Sequence, residues 1–157
     1  MMTFCADALP YQEAPWLISQ TEDSATPRHR IAAPGEAHEE RLIATKLGLN
    51  GLQRWQYFRQ HYSGKWGDEG QQPVSPRSQQ ALIKALELLE FPSGHTASLF
   101  LTDDGYFELG WKDREGKAIQ LEFAPHSFEI YLESAEIDEC LPYSEMAEVL
   151  RTHSLSA

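Results

Sequence analysis

The sequence predicts an α+β domain in which helices precede, and pack on one face of, a four-stranded antiparallel meander. Two observations lead there. From Glu36 to Glu90 apolar residues recur every three or four positions, whereas from Ala97 to Glu133 they alternate with polar ones. The connections within the alternating half are also too short to cross over a sheet, so successive strands are antiparallel neighbours.

Residues 1–35 carry Pro10, Pro15, Pro27 and Pro34 without any sustained period, which reads as an extended or disordered N-terminal arm. Trp16, Leu17 and Ile18 form an apolar cluster within it, and Trp16 is a candidate contact residue. Residues 36–157 read as a single domain. Its first helix, 36–47, has acidic residues in its opening turns, Leu42, Ile43 and Leu47 at helical spacing, and Gly48 as a stop. Asn50 is suited to cap a second helix, 51–62, along which Leu52, Trp55, Phe58 and Tyr62 form an aromatic stripe ending before Gly64. The two are expected to lie antiparallel. A Gly-rich segment follows, and Ser75-Pro76 then opens a helix over 76–90 whose apolar stripe is Leu82, Ala85, Leu86 and Leu89.

The alternating half gives strands at 97–102, 106–112, 117–124 and 127–133, and Met146, Val149 and Leu150 mark a closing helix over 143–152. A three-residue turn at Asp103-Asp104-Gly105, with the glycine left-handed, points Leu99 and Leu101 inward and Phe100 outward. Centring the second hairpin on Glu115 and giving the third a four-residue loop places Phe107, Leu109, Trp111, Ile119, Leu121, Phe123, Phe128, Ile130 and Leu132 on one face. The same registers set Glu108 opposite Glu122, and Glu122 opposite Glu129, on the other face. Like charges so opposed destabilise a sheet, which makes this row the candidate site, with Tyr106 and Tyr131 offering flat contact area beside it.

Charge points the same way. The formal net charge is -11, and residues 98–148 hold 13 acidic residues against Lys112, Arg114 and Lys117, a local balance of -10. Such a field disfavours nucleic acid, which needs clustered Lys and Arg, and suits a protein partner with a basic surface. No apolar run is long enough to span a membrane. The N-terminus lacks the basic flank and apolar stretch of a signal peptide, and Cys5 and Cys140 show no disulfide or ligand spacing, so a cytoplasmic location is expected.

Motifs for chemistry are sparse. Gly64-Lys65 is followed by Trp66 where a phosphate loop requires Ser or Thr, and Asp68-Glu69-Gly70 has too few oxygen ligands for a calcium loop. Trp66 reads as an anchor for that connection. Arg54-Trp-Gln-Tyr-Phe-Arg59 interleaves basic and aromatic residues, but helical spacing explains it as a buried stripe with a polar back. The six histidines have no ligand spacing, and Ser, Cys and His residues show no nucleophile signature. No cofactor, no metal site and no catalytic residue is expected.

From Trp66 to Leu132, a little under half of the chain, the Trp-and-Gly loop, the helix start at Ser75-Pro76, and the strands "LFLTDDGYFELGW" and "IQLEF" resemble a loose group of small bacterial proteins. Some of that group look like the smaller partner in toxin-antitoxin or mobile-element gene pairs. The resemblance carries no catalytic residues across; it implies a non-catalytic binding module, an antitoxin- or immunity-like neutraliser of a protein partner. The alternative is a cation-assisted hydrolase using Glu108, Glu122 and Glu129.

Overall fold

The structure, a computed structural model, describes residues 33–64 and 70–156. Residues 1–32 of the expected arm, Trp16 included, lie outside the described residues, as does the part of the Gly-rich loop that holds Trp66. Ala33 to Gly35 belong instead to the start of the first helix, where Ala33 N–H donates to the Glu36 carboxylate (3.2 Å).

That helix, α1 (Pro34–His61), is broken at Gly48, whose φ of 71° and ψ of -173° suit only glycine. The chain folds back there, as Arg59 to Glu36 (3.2 Å) and Gln56 to Glu40 (3.2 Å) show by bridging the two halves. Ile43, Leu47, Trp55 and Phe58 are buried. In α2 (Pro76–Leu88) the Ser75 hydroxyl accepts from Ser78 N–H (3.3 Å), and Ala81, Leu82, Ala85 and Leu86 form the buried stripe. Leu89, expected inside this helix, instead bridges Ser156 near the C-terminal end.

The sheet follows as β1 (Ser98–Leu101), β2 (Phe107–Lys112), β3 (Ala118–Phe123), β4 (Ser127–Leu132) and β5 (Ile137–Pro142), in sequential antiparallel order, and α3 (Met146–Thr152) closes the fold. The class is α+β, but the meander has five strands rather than four. A short 3-10 turn at Glu133–Ala135 and left-handed Glu136 (φ 54°) bring β5 alongside β4. This strand escapes the alternation rule because its inward positions are Ile137, Glu139 and Leu141, with a carboxylate in the middle. The closing helix is shorter than expected, since Tyr143–Glu145 form a 3-10 turn ahead of it.

Both early turns are three-residue loops with a left-handed glycine, Gly105 (φ 77°) and Gly116 (φ 80°). They fix the inward rows. Leu99, Leu109, Leu121 and Ile130 form one, and Phe107, Phe123 and Phe128 another, each residue fully buried beneath the helices. Burying each side chain of this size stabilises the fold by about 1.5–3 kcal/mol.

Ser78 places a hydroxyl in this core. The buried Ser78 hydroxyl accepts from the Phe107 N–H at 2.7 Å, tying α2 to β2. Ser78→Ala removes that acceptor, and a loss of about 0.5–1.5 kcal/mol is expected. The denaturant midpoint should fall with an unchanged slope; an unchanged midpoint would show that the amide finds another partner.

Candidate functional site

The sheet's outward face is built by strand parity. Strands β1 to β5 contribute Phe100, Glu108, Glu122, Glu129 and Cys140 to one cross-strand row, and Ser98, Gly110, Gln120, Tyr131 and Asp138 to the next. The three glutamates are therefore direct neighbours. Tyr131 is 37% exposed in the adjoining row, and Tyr106, half-buried, precedes β2 with the same parity as Glu108. These residues come together as the sequence places them; Trp16 lies outside the described residues.

Opposed carboxylates in a sheet stand about 5 Å apart, and in partly solvated surroundings each pair repels by on the order of 1 kcal/mol. Burial raises the pKa of Glu108, and the charge of Glu129 raises it further. Glu122, flanked on both sides, is pushed up to about 7, first by burial and then by Glu129, Glu108 and Asp104. Among the described residues no ion pair to these three glutamates offsets this. Lys117 reaches across to Glu133 (3.2 Å), whose pKa is lowered by the Ala118 N–H and then by Lys117 itself. The Arg54 guanidinium lies over the Phe100 ring (5.1 Å to its centroid) and makes no ion pair among the described residues.

Tyr143, which sequence reasoning did not single out, stacks its ring on the inward-facing Phe128 (5.9 Å between centroids) on the core side of the sheet. Its hydroxyl donates to the Ala124 carbonyl, and burial, then Cys140 and Glu122, raise its pKa to about 12. It follows β5, so it became a neighbour of Phe128 only through a strand that the sequence did not reveal.

A separate cleft of about 530 Å³ opens at the far end of the sheet, lined in part by Phe91, Trp111, Arg114, Leu132, His153 and Leu155. None of the three glutamates lines it. The Asp113 carboxylate at its rim is committed to the N–H groups of Glu115 (2.8 Å) and Lys117 (2.9 Å). Four distant chain segments assemble this cleft, and no local motif marks it.

No protein-family model, curated protein or solved structure matches the chain. Its chemistry is therefore argued from its own residues. Among the described residues no group of three His, Cys, Asp or Glu side chains is arranged to hold a metal ion. A flat carboxylate row offers charge over an open surface rather than a cage.

The raised carboxylates have a consequence for stability. A group whose folded pKa exceeds its unfolded value stabilises the fold fully below the unfolded pKa, and this contribution is lost as pH rises through the folded one. For Glu122 the window runs from about 4.5 to about 7, and Glu108 acts in the same direction. Glu133 acts oppositely, losing its contribution on acidification, but below that window. Stability should thus decline between pH 5 and 7.5, and Glu122→Gln should flatten the decline. Denaturant midpoints at the two pH values decide this; parallel profiles for the variant and the unsubstituted protein would contradict it.

Proposed function

We propose that the protein is a non-catalytic, acidic binding module that docks a protein partner bearing a basic surface, and that it neutralises that partner in the manner of an antitoxin or immunity protein. The observation that carries this reading is the carboxylate row on the sheet's outward face, self-repelling and with no ion-paired cation among the described residues. A basic partner relieves that repulsion on binding, which couples the strain to recognition. Tyr131 and Tyr106 supply contact area at low entropic cost, as aromatic residues do in interfaces generally. The resemblance of the Trp66 to Leu132 region to a loose group of small bacterial proteins, some of them antitoxin-like, supports the same reading.

The face repels polyanions, so nucleic acid is not the partner proposed. Among the described residues no helix is long and apolar enough to cross a membrane. An exposed free thiol at Cys140 suits the reducing cytoplasm, where the protein is proposed to act.

Capture from the native cell with two baits tests the proposal: the unsubstituted protein and the Glu108→Gln, Glu122→Gln, Glu129→Gln triple variant. A basic protein held in stoichiometric amount by the first bait and lost from the second supports it; identical captured sets contradict it. Titration with Mg²⁺ or Mn²⁺ separates the hydrolase alternative, which requires the ion to raise the melting temperature.

A further inference from the structure

The two edges of the sheet are treated differently. The edge at β1 is packed by α1, whereas among the described residues β5 ends the sheet, with Asp138, Glu139 and Cys140 exposed. An open edge is a template for another strand unless something guards it.

The hydrogen-bond alternation identifies which groups that edge presents. Asp113 N–H donates to Lys117 O (2.9 Å) at the β2–β3 turn, so odd-numbered residues of β2 and β3 bond each other. Even-numbered residues of β3 then bond Glu129 and Tyr131 of β4, and Phe128, Ile130 and Leu132 of β4 bond Leu141, Glu139 and Ile137 of β5. The N–H and C=O groups of Asp138 and Cys140 point away from the sheet, while the Pro142 carbonyl opens the 3-10 turn that follows. Pro142 fits this pattern, because its missing N–H falls on the unpaired side.

Charge selects the occupant. From Ser127 to Glu145 the chain holds six acidic residues, Glu129, Glu133, Glu136, Asp138, Glu139 and Glu145, and no Lys or Arg. A second copy pairing β5 against β5 would set these carboxylates against each other. We infer that β5 accepts an extended, Lys- or Arg-rich segment of the protein partner as a sixth strand, with backbone hydrogen bonds at Asp138 and Cys140 giving affinity and acidic side chains on both faces giving selectivity. Residues of the added strand opposite Asp138 and Cys140 continue the outward rows beside Tyr131 and Glu129, and those opposite Glu139 meet its carboxylate at the end of an inward row. This rests on the binding reading above and names the mode of engagement.

The test uses capped seven-residue peptides of alternating Lys and Val, one with free backbone amides and one N-methylated at alternate residues to block pairing at equal charge. At low salt the first is expected to bind at least tenfold more tightly than the second and to slow hydrogen exchange at the Asp138 and Cys140 amides. Cys140→Pro, which removes one outward N–H while sparing the bonds to β4, should weaken the first peptide to the level of the second. Equal binding of both peptides, abolished by the triple glutamine variant, would overturn strand addition and leave the acidic face as the docking surface. Equal binding of a Glu-Val peptide would overturn the charge selection, and no binding of either basic peptide would overturn the proposal while leaving the two-bait capture to judge the broader reading.

Discussion

Gly105→Ala is expected to destabilise the domain by about 3–5 kcal/mol. An alanine at φ 77° costs roughly 1–2 kcal/mol on backbone grounds alone. The added Cβ would also overlap the Pro73 carbonyl oxygen, a backbone atom that cannot swing aside as a flexible side chain does. Pushing that strand of loop away breaks the bonds from Gln72 N–H to Asp103 O (2.9 Å) and from Ser75 N–H to Gly105 O (2.9 Å), each contributing about 0.5–1.5 kcal/mol, and it disturbs the cap of α2. Gly116→Ala is the control, with nearly the same φ (80°) and no atom within 4 Å of its would-be Cβ, so only the backbone cost applies. Thermal or denaturant unfolding of the pair should show a clear gap. Equal losses would mean that the loop carrying Gln72 to Ser75 does not brace the first hairpin.

Replacing Glu108, Glu122 and Glu129 together by glutamine should raise stability and lower association. Relief of two repulsive cross-strand pairs is worth about 2 kcal/mol at pH 7.5, while loss of the charges should slow association with a basic partner by at least about tenfold at low salt. The difference should shrink as salt is added. Association by the unsubstituted protein should also strengthen as pH rises through about 7, where Glu122 ionises, and the triple variant should lack that dependence. Stability and binding moving together, in either direction, would contradict this.

Much of the sheet was legible in the sequence, because period-two alternation and the spacing of Gly105 and Gly116 leave one register that turns the large apolar residues of the first four strands, Phe100 excepted, toward the core. The glutamate row followed from that register alone. The fifth strand was not legible, since Ile137-Asp-Glu-Cys-Leu-Pro142 is an edge with Glu139 on its inward side and is reached through a non-glycine residue in the left-handed region. Edge strands bury little, so their sequences need not alternate. Gly48 was readable as the end of a helix, and in the structure it is also the point at which α1 folds back on itself. Tyr143 and the cleft near Trp111 depend on segments brought together only by the completed fold, which no local spacing encodes.

Carboxyl footprinting of the complex is the measurement closest to the central claim. Carbodiimide-driven amidation, read residue by residue by mass spectrometry in free and partner-bound protein, reports each carboxylate separately. Glu108, Glu122 and Glu129 should be protected on binding, while the exposed carboxylates of Glu87 on α2 and Glu148 on α3 react at unchanged rates. Unchanged labelling of the three glutamates, with protection appearing instead at Glu90 or Glu115 beside the cleft, would place the partner elsewhere and contradict the role assigned to the acidic face.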